Sequence, residues 1–365
     1  MAGMQHYHHA LSSATLGRLK YIFRRLFRSF LSFTVAILCI SAVVNLTMES
    51  TVRSQIVEMV QGAVMNNPEL KSSEDIIVFK RETMQALERS FGLHLPSWQR
   101  VLRRTWDIMT LTLGDSRSTM TNYPERSRKV RDIVLERTPH TLILFTSSTL
   151  ISIALGLWLG TRMAAKPGGS LDRAASITTM VMYGTPPWWL GTFFILFFVY
   201  LIPIFRIGSL YSVEPPASAI GRFFDYLSYL LLPLLTLVAI KVWSFAYLTR
   251  SMVVIPMQED FVIAARGRGI PEAKILRRHG LRTAAPGVMT MAAQGFAQSI
   301  VGDILLERVM TRPGLGTTLF NALGWNDINL VTGILAMVTA IYCVTFALLD
   351  LAYALLDPRI AYGRQ

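Results

Sequence analysis

The chain has 365 residues, 52% of them hydrophobic and 16% charged, with a formal net charge of +13. An ordinary soluble domain carries about a quarter charged residues, so this balance excludes a soluble globular protein and indicates a polytopic membrane protein. The excess of positive charge is not a nucleic-acid footprint, because it collects in segments that flank apolar stretches.

A bilayer core needs about 20 apolar residues per helix, and six segments meet that requirement: 29–47, 140–161, 177–202, 228–249, 284–305 and 331–356. Residues 1–28 form a basic N-terminus in which His6, His8 and His9 read as a solvated cluster rather than a metal site. The first span, 29–47, is followed by no A-x-A-like cleavage site, so it reads as a retained signal anchor. Residues 48–138 are the one sizeable region outside the membrane. Ser54–Val64 and Ile76–Phe91 there show apolar residues at helical spacing, with breaks expected at Pro68, Pro96 and Pro124.

Five spans are expected within 139–356. Gly156-Leu157-Trp158-Leu159-Gly160 permits close helix approach in lipid. Pro186-Pro187 removes two backbone donors and predicts a bend or a broken start in the third span. Met180, Trp188, Trp189 and Trp243 read as core or interface residues, and Cys39 and Cys343 as packing residues inside spans. Lys241 lies near the middle of the fourth span, where an ionisable side chain is costly. Either it faces a hydrated path and attracts an anionic group of a substrate, or it snorkels or meets a carbonyl. Asp303 lies about 13 Å from the centre of its own span, a depth that argues against a direct pair with Lys241.

Charge orients the spans. Residues 1–28, 162–173, 250–282 and 357–365 together hold seventeen basic and five acidic residues, whereas 203–227 and 306–329 each hold two of either sign. The long region 48–138, with fourteen basic and twelve acidic residues, translocates largely regardless of charge. The positive-inside rule therefore puts both termini, including 357–365, in the cytoplasm and 48–138 outside.

No chemistry of bond-making is evident. None of the seven lysines follows a glycine, so the chain has no P-loop, and it has no H-E-x-x-H, C-x-x-C or G-x-S-x-G. The reading is of a non-enzyme without its own nucleotide or metal site. The polar insert 250–283 is instead the most informative segment. Gln258–Ala265 reads as a short amphipathic helix with Phe261, Val262 and Ala265 set against Glu259, Asp260 and Arg266. Its acidic start suits the helix dipole. Gly267 and Gly269 supply a stop and a sharp turn, and Pro271 opens a second helix to His279.

Glu259-Asp260-Phe261-Val262-x-x-Ala265-Arg266-x-x-Gly269, followed by Leu276-x-x-His279-x-Leu281-Arg282, resembles the EAA loop of ABC importer permeases of the dipeptide, oligopeptide and nickel family, first-subunit type. The likeness continues in Leu113-Gly114-Asp115-Ser116, Arg137-Thr138-Pro139-x-Thr141-Leu142, Pro187-x-Trp189-Leu190-Gly191, Glu307-x-x-x-x-x-Pro313-Gly314-Leu315-Gly316 and the closing Asp350–Ile360. It implies an all-α, six-span type I permease fold with an extracytoplasmic helical insert. It also implies partners: a second homologous permease, two cytoplasmic ATPase subunits that bring ATP and Mg, and an extracytoplasmic solute-binding protein, all at a lipid membrane and without nucleic acid.

Carried over to this sequence, Glu259, Asp260, Phe261, Ala264, Ala265, Arg266, Gly269, Arg278 and His279 would meet an ATPase, and Pro313, Gly314, Leu315 and Gly316 would dock the binding protein. Di- or oligopeptide is the family's majority substrate. Ile263 stands where the generic pattern has glutamate, the P-G-D-P usual after the first helix is missing, and 48–90 resembles nothing in the family. A secondary transporter or channel would need facing ionisable residues and inverted repeats that are not evident. A sensor would need only one or two spans.

Overall fold

The computed structural model describes residues 2–67, 72–116, 129–299 and 302–356, with no description of the side chains of 2–22, 48 and 350–356. Pro68, Pro124 and the C-terminal segment 357–365 lie outside the described residues, as do the side chains of His6, His8, His9 and Asp350. Among the described residues there is no β-strand, only an isolated bridge between Asp115 and Lys129. The chain divides into two compact units, one made of residues up to Leu135 together with those from Asn321, the other of Glu136–Phe320.

In the first unit, α1 (Ala2–Met65) is a single helix of 64 residues. No glycine or proline interrupts 18–61, so the first span continues without a break into the region beyond it. Its apolar part is Phe23–Thr47. α2 (Ser73–Ser90) starts where the Ser72 hydroxyl accepts a hydrogen bond from the Glu74 amide, and Glu74 and Asp75 complement the dipole there. Leu87, Phe91 and Leu93 then pack on Val52, Ile56 and Val60 of α1. α3 (Ser97–Met109) follows Pro96. It ends with Ile108 buried against Ile37 of α1 and Ala336 of α13 (Ile328–Leu356).

The Leu113–Ser116 motif ties down the start of α13. Asn329 Nδ2 donates to the Asp115 carbonyl at 3.0 Å. Ser116 Oγ donates to Asp327 Oδ2 at 2.6 Å, while Asp327 Oδ1 accepts from the Leu330 amide at 3.1 Å. One carboxylate thus caps a helix and anchors a distant loop.

The second unit is built on α4 (Val130–Ala165) and α7 (Ala219–Val254). α5 (Ser170–Tyr183) and α6 (Pro187–Ile195) meet at a bend of 100°. Pro186 and Pro187 sit at the start of α6, where their missing donors leave no gap in a ladder, as the sequence predicts. α6 runs on into a π-helical turn, Leu196–Leu201. α10 (Leu281–Ser299), α11 (Ile304–Val309) and α12 (Leu315–Gly324) complete the unit.

Four described helices are long and apolar enough to cross a membrane, and a fifth span results if the bent α5–α6 pair counts as one. The sixth expected span falls on α10, which has 19 residues. Alanine, glycine and glutamine between Ala292 and Gln298 dilute its apolar character.

The Gly156–Gly160 pair is used inside the chain. A Cβ on Gly156 would collide with Cβ of Phe245, and one on Gly160 with the Ala246 carbonyl and, at 2.7 Å, Thr249 Cβ. α4 and α7 therefore touch backbone to backbone at this point, the close approach that small residues allow in lipid. At the end of the same interface Arg250 donates two hydrogen bonds of 2.8 Å to the buried Asp172 carboxylate, which also accepts from the Gly168 amide. That bidentate pair fixes the α4–α5 turn against α7.

Gly160→Ala is expected to lower the thermal midpoint in detergent, with a stability loss of about 1–3 kcal/mol. Gly62→Ala in α1, where a Cβ meets nothing within 4 Å, is expected to be neutral or to stabilise by about 0.5 kcal/mol. Equal midpoints for the two variants would remove the α4–α7 contact from this account.

Candidate functional site

The insert after α7 folds as a compact hairpin. A 3₁₀ turn, Pro256–Gln258, leads to α8 (Asp260–Gly267), then α9 (Glu272–Ile275) and a π turn, Leu276–Gly280. The helix expected over Pro271–His279 is thus split between α-helical and π-helical turns. Val262, Ala265 and Ile275 are fully buried and pack with Met257 and Ile270. Met257 also packs against the cluster of Val253, Leu276, Ala284 and Val288. The hairpin is consequently continuous in packing with the ends of α7 and α10.

Of the residues the sequence singles out, Ala265 faces this small core, whereas Glu259, Asp260, Phe261, Ala264, Arg266, Gly269 and Arg278 are exposed. Phe261 points outward with Ile263 rather than joining Val262 and Ala265. Its ring lies 5.9 Å from that of half-buried His279. Gly269 has φ +71° with open space around it, so the turn requires glycine for its backbone and not for packing. Arg266 Nε donates to Glu272 Oε1 at 2.6 Å across the hairpin. That bond holds the Glu272 carboxyl below its usual range and the guanidinium above its own. Both groups are exposed, so the pair orients the turn more than it stabilises it.

A second constellation surrounds Glu307 on α11. Its carboxylate is fully buried and accepts from the Thr141 hydroxyl at 2.7 Å, the Gly316 amide at 2.7 Å and the Thr317 amide at 3.2 Å. Thr141 in turn accepts from the Leu315 amide at 2.8 Å. A Cβ on Gly314 would fall on the carboxylate oxygens, and one on Gly316 would lie 2.9 Å from Oε2. The glycines of Pro313-Gly314-Leu315-Gly316 therefore make room for a buried anion. Burial pushes the Glu307 carboxyl up, and the hydrogen bonds from Thr141, Thr317 and Gly316 pull it down.

Gly314 and Leu315 are buried, while Pro313 and Gly316 are half-buried. Next to them Arg312 is 1% exposed. Its Nη2 donates to the Tyr226 hydroxyl at 2.7 Å, and among the described residues its Nε and Nη1 have no hydrogen-bond partner.

Lys241, in the middle of α7, is half-buried. Its ammonium donates to Thr149 Oγ1 at 2.9 Å and Ser148 Oγ at 3.3 Å, and lies 5.6 Å from the centre of the Phe145 ring. Among the described residues no carboxylate forms an ion pair with it. Asp303 is occupied as the cap of α11, accepting from the Leu306 amide at 2.9 Å. Hydroxyls, rather than a carbonyl or a carboxylate, thus satisfy the lysine.

The Thr141–Glu307 lock is not legible in local sequence, because its members are 166 residues apart. Both residues fall in motifs the sequence singles out, but nothing in either motif pairs them.

The described residues thus form a helical membrane unit with a packed, exposed hairpin between α7 and α10. The model of the binding-protein-dependent transport system inner membrane component matches residues 152–362, and the chain belongs to that family. Among its relatives are the oligopeptide transport system permease protein AppB of Bacillus subtilis, 23% identical over 74% of this chain and 83% of that protein. The di/tripeptide transport system permease protein DppB of Pseudomonas aeruginosa is 27% identical over 77% and 85%. The peptidoglycan transport system permease protein YejB of Agrobacterium fabrum is 26% identical over 78% and 77%. The chain is a multi-pass permease homologous to those of peptide importers.

Glu307→Ala leaves three buried donors without an acceptor and is expected to cost about 3 kcal/mol or more in stability. Glu307→Gln keeps an acceptor for the two amides, and its NH₂ can donate to Thr141, so it is expected to cost much less. Thermal unfolding of both variants in detergent checks this, and equal losses would refute the hydrogen-bond account.

Proposed function

We propose that this chain is the translocation subunit for di- or oligopeptides in an inner-membrane ABC importer, with both termini cytoplasmic. It pairs with a second homologous permease, sits on two ATPase subunits that bind ATP and Mg, and receives solute from an extracytoplasmic binding protein. The names of the relatives support the substrate class. The observation that carries the coupling role is the hairpin itself, with Phe261, Ile263 and Ala264 exposed along α8 and a buried core behind them.

Closure of the ATPase pair would press on that face of α8. Because Met257 belongs to the packing of both the hairpin and the α7–α10 contact, the push passes to the spans as movement of a body rather than bending of a loop. Such a push shifts the inward-facing and outward-facing populations only through contacts that differ between them. α10 acts as the remaining span. Pro313 and Gly316 are the parts of their loop open to a docking binding protein, and Lys241 lines the translocation path.

The test is reconstitution of the complete transporter with peptide uptake and ATP hydrolysis measured together. Ile263→Lys and Gly269→Leu are expected to abolish uptake while the ATPase runs uncoupled, and a cysteine in place of Ala264 is expected to crosslink to an ATPase subunit. Unchanged uptake in both variants would sink the coupling assignment.

A further inference from the structure

The first unit contains a cavity of about 300 Å³ between α1, α2, α3 and the start of α13. Among the described residues its charged lining is Arg89, Arg100, Arg103 and Arg104 against Glu49 and Asp107. Glu49 is already engaged by Arg53 and Arg100. Arg104 is turned toward Asn329 and Thr332. Arg89 and Arg103 are exposed, and their side chains make no ion pair or hydrogen bond among the described residues. Arg100 is 9% exposed, and among the described residues its buried Nε has no hydrogen-bond partner. A desolvated donor without an acceptor is costly, so the cavity is short of an anion.

Its depth says which anion. Arg100 sits level with Glu49, two residues past the apolar part of α1, which ends at Thr47. Ile108, two turns further along α3, packs on Ile37 and Ala336, both inside apolar spans. α3 therefore descends from headgroup level into the hydrocarbon. Trp98, Leu102 and Trp106 follow one another at every fourth residue along it and are 63%, 52% and 69% exposed. Tryptophan on the outer face of an amphipathic helix is the composition of a membrane interface.

We propose that α3 dips from the headgroup level into the outer leaflet, held in lipid by Trp98, Leu102 and Trp106, and that the arginine cavity behind it binds the phosphate of an anionic phospholipid. Arg103 and Arg89 grip the phosphate from the rim, and Arg100 Nε meets it from within. Val44 and Ile108 on the wall suit the glycerol end of such a lipid. This site does not depend on the transported solute or on the coupling hairpin.

The experiment uses the full transporter in nanodiscs of phosphatidylcholine with a minor share of phosphatidylglycerol. It is re-extracted in mild detergent, and retained lipid is counted by native mass spectrometry. Retention of phosphatidylglycerol is expected to fall about tenfold in an Arg89→Gln, Arg103→Gln variant, to recover in the corresponding lysine pair, and to leave phosphatidylcholine unchanged. A photoreactive residue at position 102 is expected to crosslink to phospholipid. Equal retention in wild type and the glutamine variant would overturn the proposal. So would crosslinking of position 102 to the second permease or the binding protein, or displacement of the lipid by inorganic phosphate.

Discussion

The backbone contact between α4 and α7 at Gly156 and Gly160 is the constraint on which the second unit depends. In lipid there is no hydrophobic drive to bring two apolar helices together, so association rests on packing and on polar contacts. Two glycines one turn apart allow the contact, and the Arg250–Asp172 pair locks it at one end. With α7 held in this register, Lys241 faces Ser148 and Thr149, and the hairpin that follows α7 is carried on a rigid stem.

Buried charge is handled in three ways here. Glu307 is surrounded by donors that its neighbouring glycines bring within reach, so the anion organises the Arg312–Gly316 turn. Asp172 has a bidentate arginine. Among the described residues Lys241 has hydroxyls as hydrogen-bond partners and no ion pair, a condition compatible with a transient anionic partner. The same logic applies to the cavity beside α3, where among the described residues four arginines face two carboxylates.

Much of the architecture was legible because its causes are local. Pro186-Pro187 forbids a straight helix there whatever surrounds it, and the bend appears. Acidic Asp260, the alanines and Gly269 fix α8 and its turn within two residues of the expected limits. The continuity of α1 beyond its span was not foreseen as one helix, although the absence of glycine and proline over 18–61 permits it. The outward turn of Phe261 was not legible either. On an eight-residue helix several faces satisfy an apolar pattern, and only the partner helix α9 selects Val262 and Ala265 as the inner one.

The sequence by itself determined that this protein lies in a membrane and to which family it belongs, and its charge asymmetry predicts an orientation. Apolar length, charge asymmetry and motif order are all properties of the chain taken linearly. Tertiary structure alone decided what the isolated polar residues do. Thr141 and Glu307, Asp172 and Arg250, and Lys241 and Thr149 are separated by tens to hundreds of residues. No local periodicity encodes such pairings, because they arise only when helix packing removes water and each buried polar group must find its partner.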